Sequence, residues 1–489
     1  MVLFYLVYIN IYAIRSGELP DTKYKTRRIC GRMESVMKIG FVSLGCPKNQ
    51  LDTEVMLHEV MSAGYEVTQD ETQADVVIIN TCAFIESAKQ EAIDNILDIA
   101  WLKKHRSLKA IVVTGCLAER YRDEIFKEMP EVDALLGVGS IHNIVEAIEA
   151  VTVKKKKGSK RKYSSYEPND QVRLGGDRIL TTPDYSAYIK VAEGCDNRCA
   201  YCAIPAIRGR FRSRPVEDIV EEAKQLEALG VRELNIVAQD TTRYGLDIYG
   251  EYSLAKLLRT ITDATSIPWI RLMYCYPDKI TDELIAEMRD NDRVLKYIDL
   301  PIQHISDHML KAMNRHGDSA MIKSVIAKLR AAMPDIVIRT TLITGFPGET
   351  EEDFVELCEF VKEAKFEHLG VFPYSREEDT PAYDMPDQID EQIKQDRADI
   401  IMQQQLEINE ARNNEMVGKT LTVLCEDFDP VGEIHFGRGA ADAPEIDGKI
   451  YFRAPARIAP GSFVKVKIRE VMDYDLIGRA VTSETQEAE

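Results

Sequence analysis

Six of the ten cysteines of this 489-residue chain fall into two sets of three. Cys195, Cys199 and Cys202 form a C-x-x-x-C-x-x-C run inside "EGCDNRCAYCAIP", a spacing that lets one loop wrap three sides of a cubic cluster. Cys46, Cys82 and Cys116 are more than thirty residues apart, yet each closes an apolar, strand-like run. An ordinary 4Fe–4S cluster has four thiolate ligands. Three leave one iron open to a substrate or second cofactor, so the pattern predicts an enzyme with two open clusters. A structural zinc site needs a fourth ligand and a closed shell, and no nearby histidine or cysteine supplies one to the tight run. Lone cysteines are often plain packing residues, and Cys30, Cys275, Cys358 and Cys425 are left in that class. Cys275 also ends a predicted strand.

Composition bounds the setting. The chain is 45% hydrophobic and 29% charged, with a formal net charge of −19. Its length implies several domains. The acidity argues against binding driven by phosphate neutralisation over the whole surface and suits a basic partner. Thiolate ligands in a reducing compartment fit a large chain without a convincing secretion signal better than disulfides do, and a cytoplasmic location is expected. The apolar run at residues 1–14 is short for a membrane span and has no basic stretch before it. Residues 1–36 are expected to be a non-native or disordered leader, with Met37 as the natural start.

The elements that must position the thiols alternate from Lys38 onward. "KIGFVSLGC", "DVVIINTC", "KAIVVTGC" and "DALLGVG" read as strands, followed by helical patterns at 52–63, 86–104, 117–128 and 141–150. Continuous Val/Ile runs separated by helices predict an α/β, doubly wound parallel sheet over residues 37–153. A polar linker is expected at 154–180, including "KKKKGSKRK". Residues 181–413 hold six further strand–helix units, "AYIKVAEG", "LNIVAQD", "WIRLMYC", "YIDLPIQH", "VIRTTLITGF" and "HLGVFPYS". Their helices are expected at 216–229, 254–264, 282–289, 307–332 and 351–364, the whole forming a partial (β/α)6 barrel with its chemistry beyond the strands' C-terminal ends. After a polar helix at 388–416, residues 414–486 read as a small all-β barrel, with strands "KTLTVLCED", "KIYFRAP" and "SFVKVKIREV" and turns at 437–439 and 447–448.

The C-x-x-x-C-x-x-C loop opening a partial barrel resembles the radical S-adenosylmethionine superfamily. Its pairing with Cys46, Cys82 and Cys116 resembles the methylthiotransferase family within it, on the stretches "SLGCPKN", "NTCAFI", "EGCDNRCAYCAIP", "RGRFRSRP", "DLPIQH" and "TGFPGETEEDF". The resemblance implies two 4Fe–4S clusters, S-adenosylmethionine as cofactor, and a C-terminal TRAM barrel. One cluster would cleave S-adenosylmethionine to a 5′-deoxyadenosyl radical, and the other would carry the sulfur that becomes a methylthio group. An electron donor and a sulfur source are implied as partners. Tyr201 is expected to wall the cofactor site. Gln239 and Asp240 at the end of the second strand and Gly345 at the end of the fifth would contact S-adenosylmethionine. Gln303 and His304, at the end of the fourth, would line the substrate cavity or serve structurally.

The family's members modify either an adenosine of transfer RNA or an aspartate of small-subunit ribosomal protein twelve. From Lys419 onward the chain has nine basic against thirteen acidic side chains, a net of −4, with acids clustered at 426–429 and 442–447. A transfer-RNA binder should be basic there, so transfer RNA is the disfavoured alternative. "ADAPEIDGKIYF" and "YIKVAEGCDNRCAYC" also resemble the ribosomal-protein branch. A two-cluster electron carrier is the alternative from another class. The missing fourth ligands and the six-unit barrel argue against it.

Overall fold

A computed structural model describes residues 36–152, 162–171 and 174–481. Cys30, nearly all of the expected leader and the basic stretch of the expected linker lie outside the described residues. The chain divides into two compact units, one reaching to Pro183 and including Ile204–Arg210, the other holding Asp184–Ala203 and everything from Phe211 onward.

The first unit is built on β1 (Lys38–Ser43), β2 (Glu66–Thr68), β3 (Val76–Thr81), β4 (Ala110–Gly115), β5 (Ala134–Leu136) and β6 (Tyr163–Ser165). They form one sheet in the order β2-β1-β3-β4-β5-β6, parallel throughout. β3 and β4 are buried along their whole length, as their apolar runs require. Val55, Met56 and Val60 of the Pro47–Ser62 helix pack with Ile78, Val112 and Leu136 against Ile144 and Ile148. Two departures from the sequence reading appear here. The expected helix at 117–128 is broken into Cys116–Tyr121 and Glu124–Glu128 at Arg122, whose φ is 45°. The stretch expected to be linker supplies β6, and Thr181, expected to open the next domain, belongs to this unit, its backbone N–H and hydroxyl both donating to Glu54.

In the second unit β7 (Ser186–Lys190) is followed by a short antiparallel pair, β8 (Ala192–Glu193) and β9 (Arg212–Ser213). Next come β10 (Glu233–Val237), β11 (Trp269–Leu272), β12 (Val294–Asp299), β13 (Val337–Thr344) and β14 (His368–Pro373). β14-β13-β12-β11-β10-β7 is a six-stranded parallel sheet, the expected partial barrel. Gln303 and His304 do not end a strand. β12 stops at Asp299, because Pro301 has no N–H to continue the ladder. Gln303 then makes an isolated bridge to Leu342. The expected helix at 307–332 is split into Asp307–Ala312 and Ser319–Ala332, with Asn314 and Gly317 at positive φ between them.

β15 (Thr420–Asp429), β16 (Ile434–Gly439), β17 (Ile450–Arg453), β18 (Phe463–Met472) and β19 (Asp475–Ala480) close a barrel in the order β15-β16-β17-β19-β18. β16 and β19 were not expected from the sequence. The glycines at 437 and 439, read as a turn, sit inside β16, where a Cβ on Gly437 would come within 2.9 Å of the Leu424 carbonyl carbon. Within this unit Arg438 reaches from β16 to Glu233 at the start of β10, with N···O distances of 3.1 and 2.6 Å. Arg271 of β11 meets the same carboxylate at 3.0 Å and also donates to the Ala440 carbonyl.

Two residues of the acidic 442–447 cluster are likewise committed inside the chain. Asp447 accepts from Tyr297 and faces Arg339 and His368, and Asp442 lies 3.7 Å from His368. These carboxylates are not an open acidic surface, so the charge count overstated what the barrel offers a basic partner.

Burial alone would raise the Glu233 carboxyl, but Arg438 and Arg271 bring it down to about 2. Its stabilising contribution is therefore present above the ordinary carboxylate range near 4.5 and lost as pH falls toward about 2. Arg438→Ala leaves a buried charge partly unpaired and should cost about 3–5 kcal/mol at neutral pH. In urea unfolding of the full chain, the gap between variant and parent should shrink as pH falls through that window.

Candidate iron–sulfur sites

In the first unit the three cysteines sit just past three parallel strand ends. Cys46 caps the Pro47–Ser62 helix after β1, Cys82 follows β3 directly, and Cys116 follows β4 as the first residue of a helix. Proline at the first helical position, where an N–H has no partner in any case, fixes the turn after Cys46. A Cβ on Gly45 would stand 2.8 Å from Cys82 Cβ and 3.2 Å from its sulfur, so these loops meet. Gly115, at φ 91°, lets β4 turn sharply. A side chain there would overlap Asn80 Oδ1 and come within 2.8 Å of the Thr81 amide nitrogen.

Asn49 ties the strand ends together by donating to the carbonyls of Leu44, at 3.1 Å, and Thr81, at 2.8 Å. Its side-chain oxygen accepts from Arg208, and Cys116 Sγ lies 3.7 Å from that oxygen. Arg208, in the Ile204–Arg208 helix that packs in this unit, pairs with Asp52 at 2.7 Å and points a guanidinium nitrogen at Cys116 Sγ from 3.6 Å. Burial pushes the Cys82 thiol up, and the neighbouring Cys116 and Cys46 add to it. Burial also raises Cys116, opposed by Arg208. Three converging thiols, with burial raising Cys82 and Cys116 and a guanidinium at Cys116, suit a cationic iron cluster that takes up thiolates.

In the second unit the C-x-x-x-C-x-x-C loop leaves β8. It is held by hydrogen bonds from the Ala200 N–H to the Met313 carbonyl, 2.8 Å, and from Asn314 to the Arg198 carbonyl, 2.6 Å. Asp240 is fully buried, accepting from Asn197 at 2.9 Å and Thr242 at 2.6 Å with Lys279 at 3.6 Å. Its carboxylate is thus engaged in holding the loop. Gln239 donates to Glu193, which also pairs with Lys190, and its own side-chain oxygen is buried with no partner. That oxygen is an unused hydrogen-bond acceptor. Burial raises the Cys195 thiol to about 11.

Cys199 Sγ lies 3.2 Å from the Tyr276 hydroxyl and 3.9 Å from Arg315. Tyr201 packs edge-on against Phe346. Gly345 follows β13 at φ 70°, and a Cβ there would stand 2.8 Å from Lys394 Cβ. The Gly345 N–H donates to Glu349 at 2.7 Å. His304, with no exposed surface, is 3.1 Å from the other Glu349 oxygen, while its Nδ1 accepts from the Ser306 N–H. His304 and the Gly345 N–H thus share one carboxylate. Cys275 is buried and donates its backbone N–H to Asp299.

Among the described residues no three His, Cys, Asp or Glu are gathered tightly enough to hold a single metal ion. A 4Fe–4S cube is wider, and its ligands stand further apart. Arg208, Tyr276, Arg315 and Glu349 were not found from the sequence. Arg208 and Glu349 lie in the stretches "RGRFRSRP" and "TGFPGETEEDF", and Arg315 in "MNRHG", where no spacing singles them out.

A six-stranded parallel half-barrel with three thiols on the loop beyond its first strand defines a radical S-adenosylmethionine enzyme. Residues 189–361 match the radical SAM superfamily, residues 38–137 the uncharacterized protein family UPF0004, and residues 417–481 the TRAM domain. The chain is 48% identical over 441 residues to the ribosomal protein uS12 methylthiotransferase RimO of Desulforamulus reducens, covering 90% of this chain and 98% of that protein. It is 50% identical over 442 residues to the protein of that name from Clostridium botulinum, covering 90% and 97%. The chain belongs to the ribosomal protein uS12 methylthiotransferase RimO family. Among solved structures, the radical S-adenosylmethionine methyltransferase TsrM from Kitasatospora setae, with cobalamin and a 4Fe–4S cluster bound, aligns with a TM-score of 0.51 and 17% identity. The alignment covers 71% of this chain and 77% of that one. At that identity the likeness is one of fold. Among the described residues no helix is long and apolar enough to cross a membrane.

Gly115→Ala should remove iron from the first unit while leaving the second loaded. Iron analysis and electron paramagnetic resonance of anaerobically reconstituted protein would check this, the expected outcome being loss of only the signal that does not respond to S-adenosylmethionine.

Proposed function

We propose that this chain is a radical S-adenosylmethionine methylthiotransferase that replaces a hydrogen on the β-carbon of an aspartate in small-subunit ribosomal protein twelve with a methylthio group. The observation that carries the reading is the pairing of two cysteine triads, one past three strand ends and one on a barrel-mouth loop, in a chain that matches the RimO proteins over nearly their full length. The two triads are read as the ligands of two 4Fe–4S clusters. Bound there, the clusters would supply an open iron for S-adenosylmethionine, the electron that frees a 5′-deoxyadenosyl radical, and the sulfur that is transferred.

The chain's own residues do the rest. Cys195, Cys199 and Cys202 present thiolates from a loop pinned at Ala200 and Asn197. The unpartnered Gln239 oxygen would receive the methionine ammonium. Gly345, its N–H held by Glu349 and its missing side chain making room for Lys394, turns the chain past β13 beside the cofactor, and Tyr201 closes a wall against water. The target is a ribosomal protein or the ribosome itself, met in the cytoplasm, and an electron donor and a sulfur source must serve the enzyme there. Transfer RNA remains the competing substrate, and it separates from the ribosomal protein in one experiment.

Mass spectrometry of small-subunit proteins from cells with and without the gene should find the mass of one methylthio group, less a hydrogen, on one protein only when the gene is present. An unchanged ribosomal protein with altered transfer-RNA nucleosides would reverse the substrate assignment. Two variants divide the mechanism. Cys199→Ala should abolish 5′-deoxyadenosine formation while iron stays in the first unit. Cys82→Ala should keep 5′-deoxyadenosine formation and lose methylthio transfer. Full transfer activity in Cys82→Ala would remove the first unit from the sulfur chemistry.

A further inference from the structure

Arg315 lies in the six-residue break between the Asp307–Ala312 and Ser319–Ala332 helices, where a continuous helix was expected. The break makes contact with the cysteine loop through Met313 and Asn314, which bond its backbone at Ala200 and Arg198. Arg315 itself is half-buried. Its guanidinium lies 4.0 Å over the Tyr276 ring, donates to the Pro301 carbonyl at 2.6 Å, and reaches the Tyr201 hydroxyl at 3.4 Å. Its remaining neighbour is Cys199 Sγ, at 3.9 Å. Among the described residues no carboxylate pairs with it. Arg208 in the first unit differs, because Asp52 balances its charge.

A guanidinium held among neutral groups and shielded from water on several sides is costly unless an anion stands beside it. Cys199 becomes that anion when it binds iron. Tyr276, 3.2 Å from the same sulfur, is the second donor to it. Charge and hydrogen bonds at the sulfurs are among the factors that set an iron–sulfur reduction potential. A fixed cation favours the state with one more electron.

We infer that Arg315 is a positioning residue whose fixed positive charge at Cys199 raises the reduction potential of the radical-forming cluster and so eases the electron transfer that starts each turnover. The inference rests on the reading of Cys195, Cys199 and Cys202 as that cluster's ligands.

The test is a redox titration of the full, anaerobically reconstituted protein, followed by the electron paramagnetic resonance signal that changes when S-adenosylmethionine is added. Arg315→Gln should shift that midpoint to more negative potential, and Arg315→Lys, which keeps the charge, should stay near the parent value. An unchanged midpoint in Arg315→Gln overturns the inference. So does an equal fall in Arg315→Lys, since geometry rather than charge would then be responsible. Should Arg315→Gln fail to fold, Arg315→Lys decides alone, with a parent-like midpoint supporting the inference and a lowered one refuting it. Absence of any S-adenosylmethionine-responsive signal in the parent protein would strike the ligand reading itself.

Discussion

Parallel pairing sends every strand out of its sheet at the same edge, and each unit builds its thiol site there. In the first unit β1, β3 and β4 are neighbours, so residues 46, 82 and 116 emerge side by side despite their distance in the chain. In the second, one strand supplies the whole cysteine loop, and the loops after β10, β11 and β13 support it through Asp240, Tyr276 and Phe346. Change the sheet to antiparallel and alternate strands would exit at the opposite edge, with neither set assembled.

Both sites also address the cost of buried thiols. Thiols taken from water resist ionisation, as Cys82, Cys116 and Cys195 do. Metal binding reverses this, and each unit has an arginine near the sulfur of one ligand, Arg208 at Cys116 and Arg315 at Cys199. At the other end of the second unit, Glu233 draws Arg438 and Arg271 into one buried group that binds the small β-barrel to the parallel sheet. The same sheet thus uses its two ends differently: strand beginnings for attachment, strand exits for chemistry.

The six cysteines, the two parallel sheets and the closing barrel were legible because each has a local signature: spacing, continuous Val/Ile runs, short strands between turns. The supporting residues were not. Arg315 reaches the Cys199 sulfur because a helix breaks at Asn314 and Gly317, and the polar stretch "NRHGDS" that marks the break was absorbed into one long expected helix. β6 is three residues long and half-exposed, too little pattern to lift it out of a polar stretch. β16 was hidden by glycines that mark a close approach of strands rather than a turn. Counting charges in the last domain ignored pairing, and Asp442 and Asp447 proved to face His368 and Arg339.

The central claim is that two separate cysteine triads each bind an incompletely ligated iron–sulfur cluster. Mössbauer spectroscopy of the full chain, reconstituted without oxygen using isotopically enriched iron, tests it most directly. The account predicts spectra of two 4Fe–4S clusters per chain, with a unique iron site in one of them perturbed by S-adenosylmethionine. A single cluster per chain, or iron bound only as isolated ions, would contradict it.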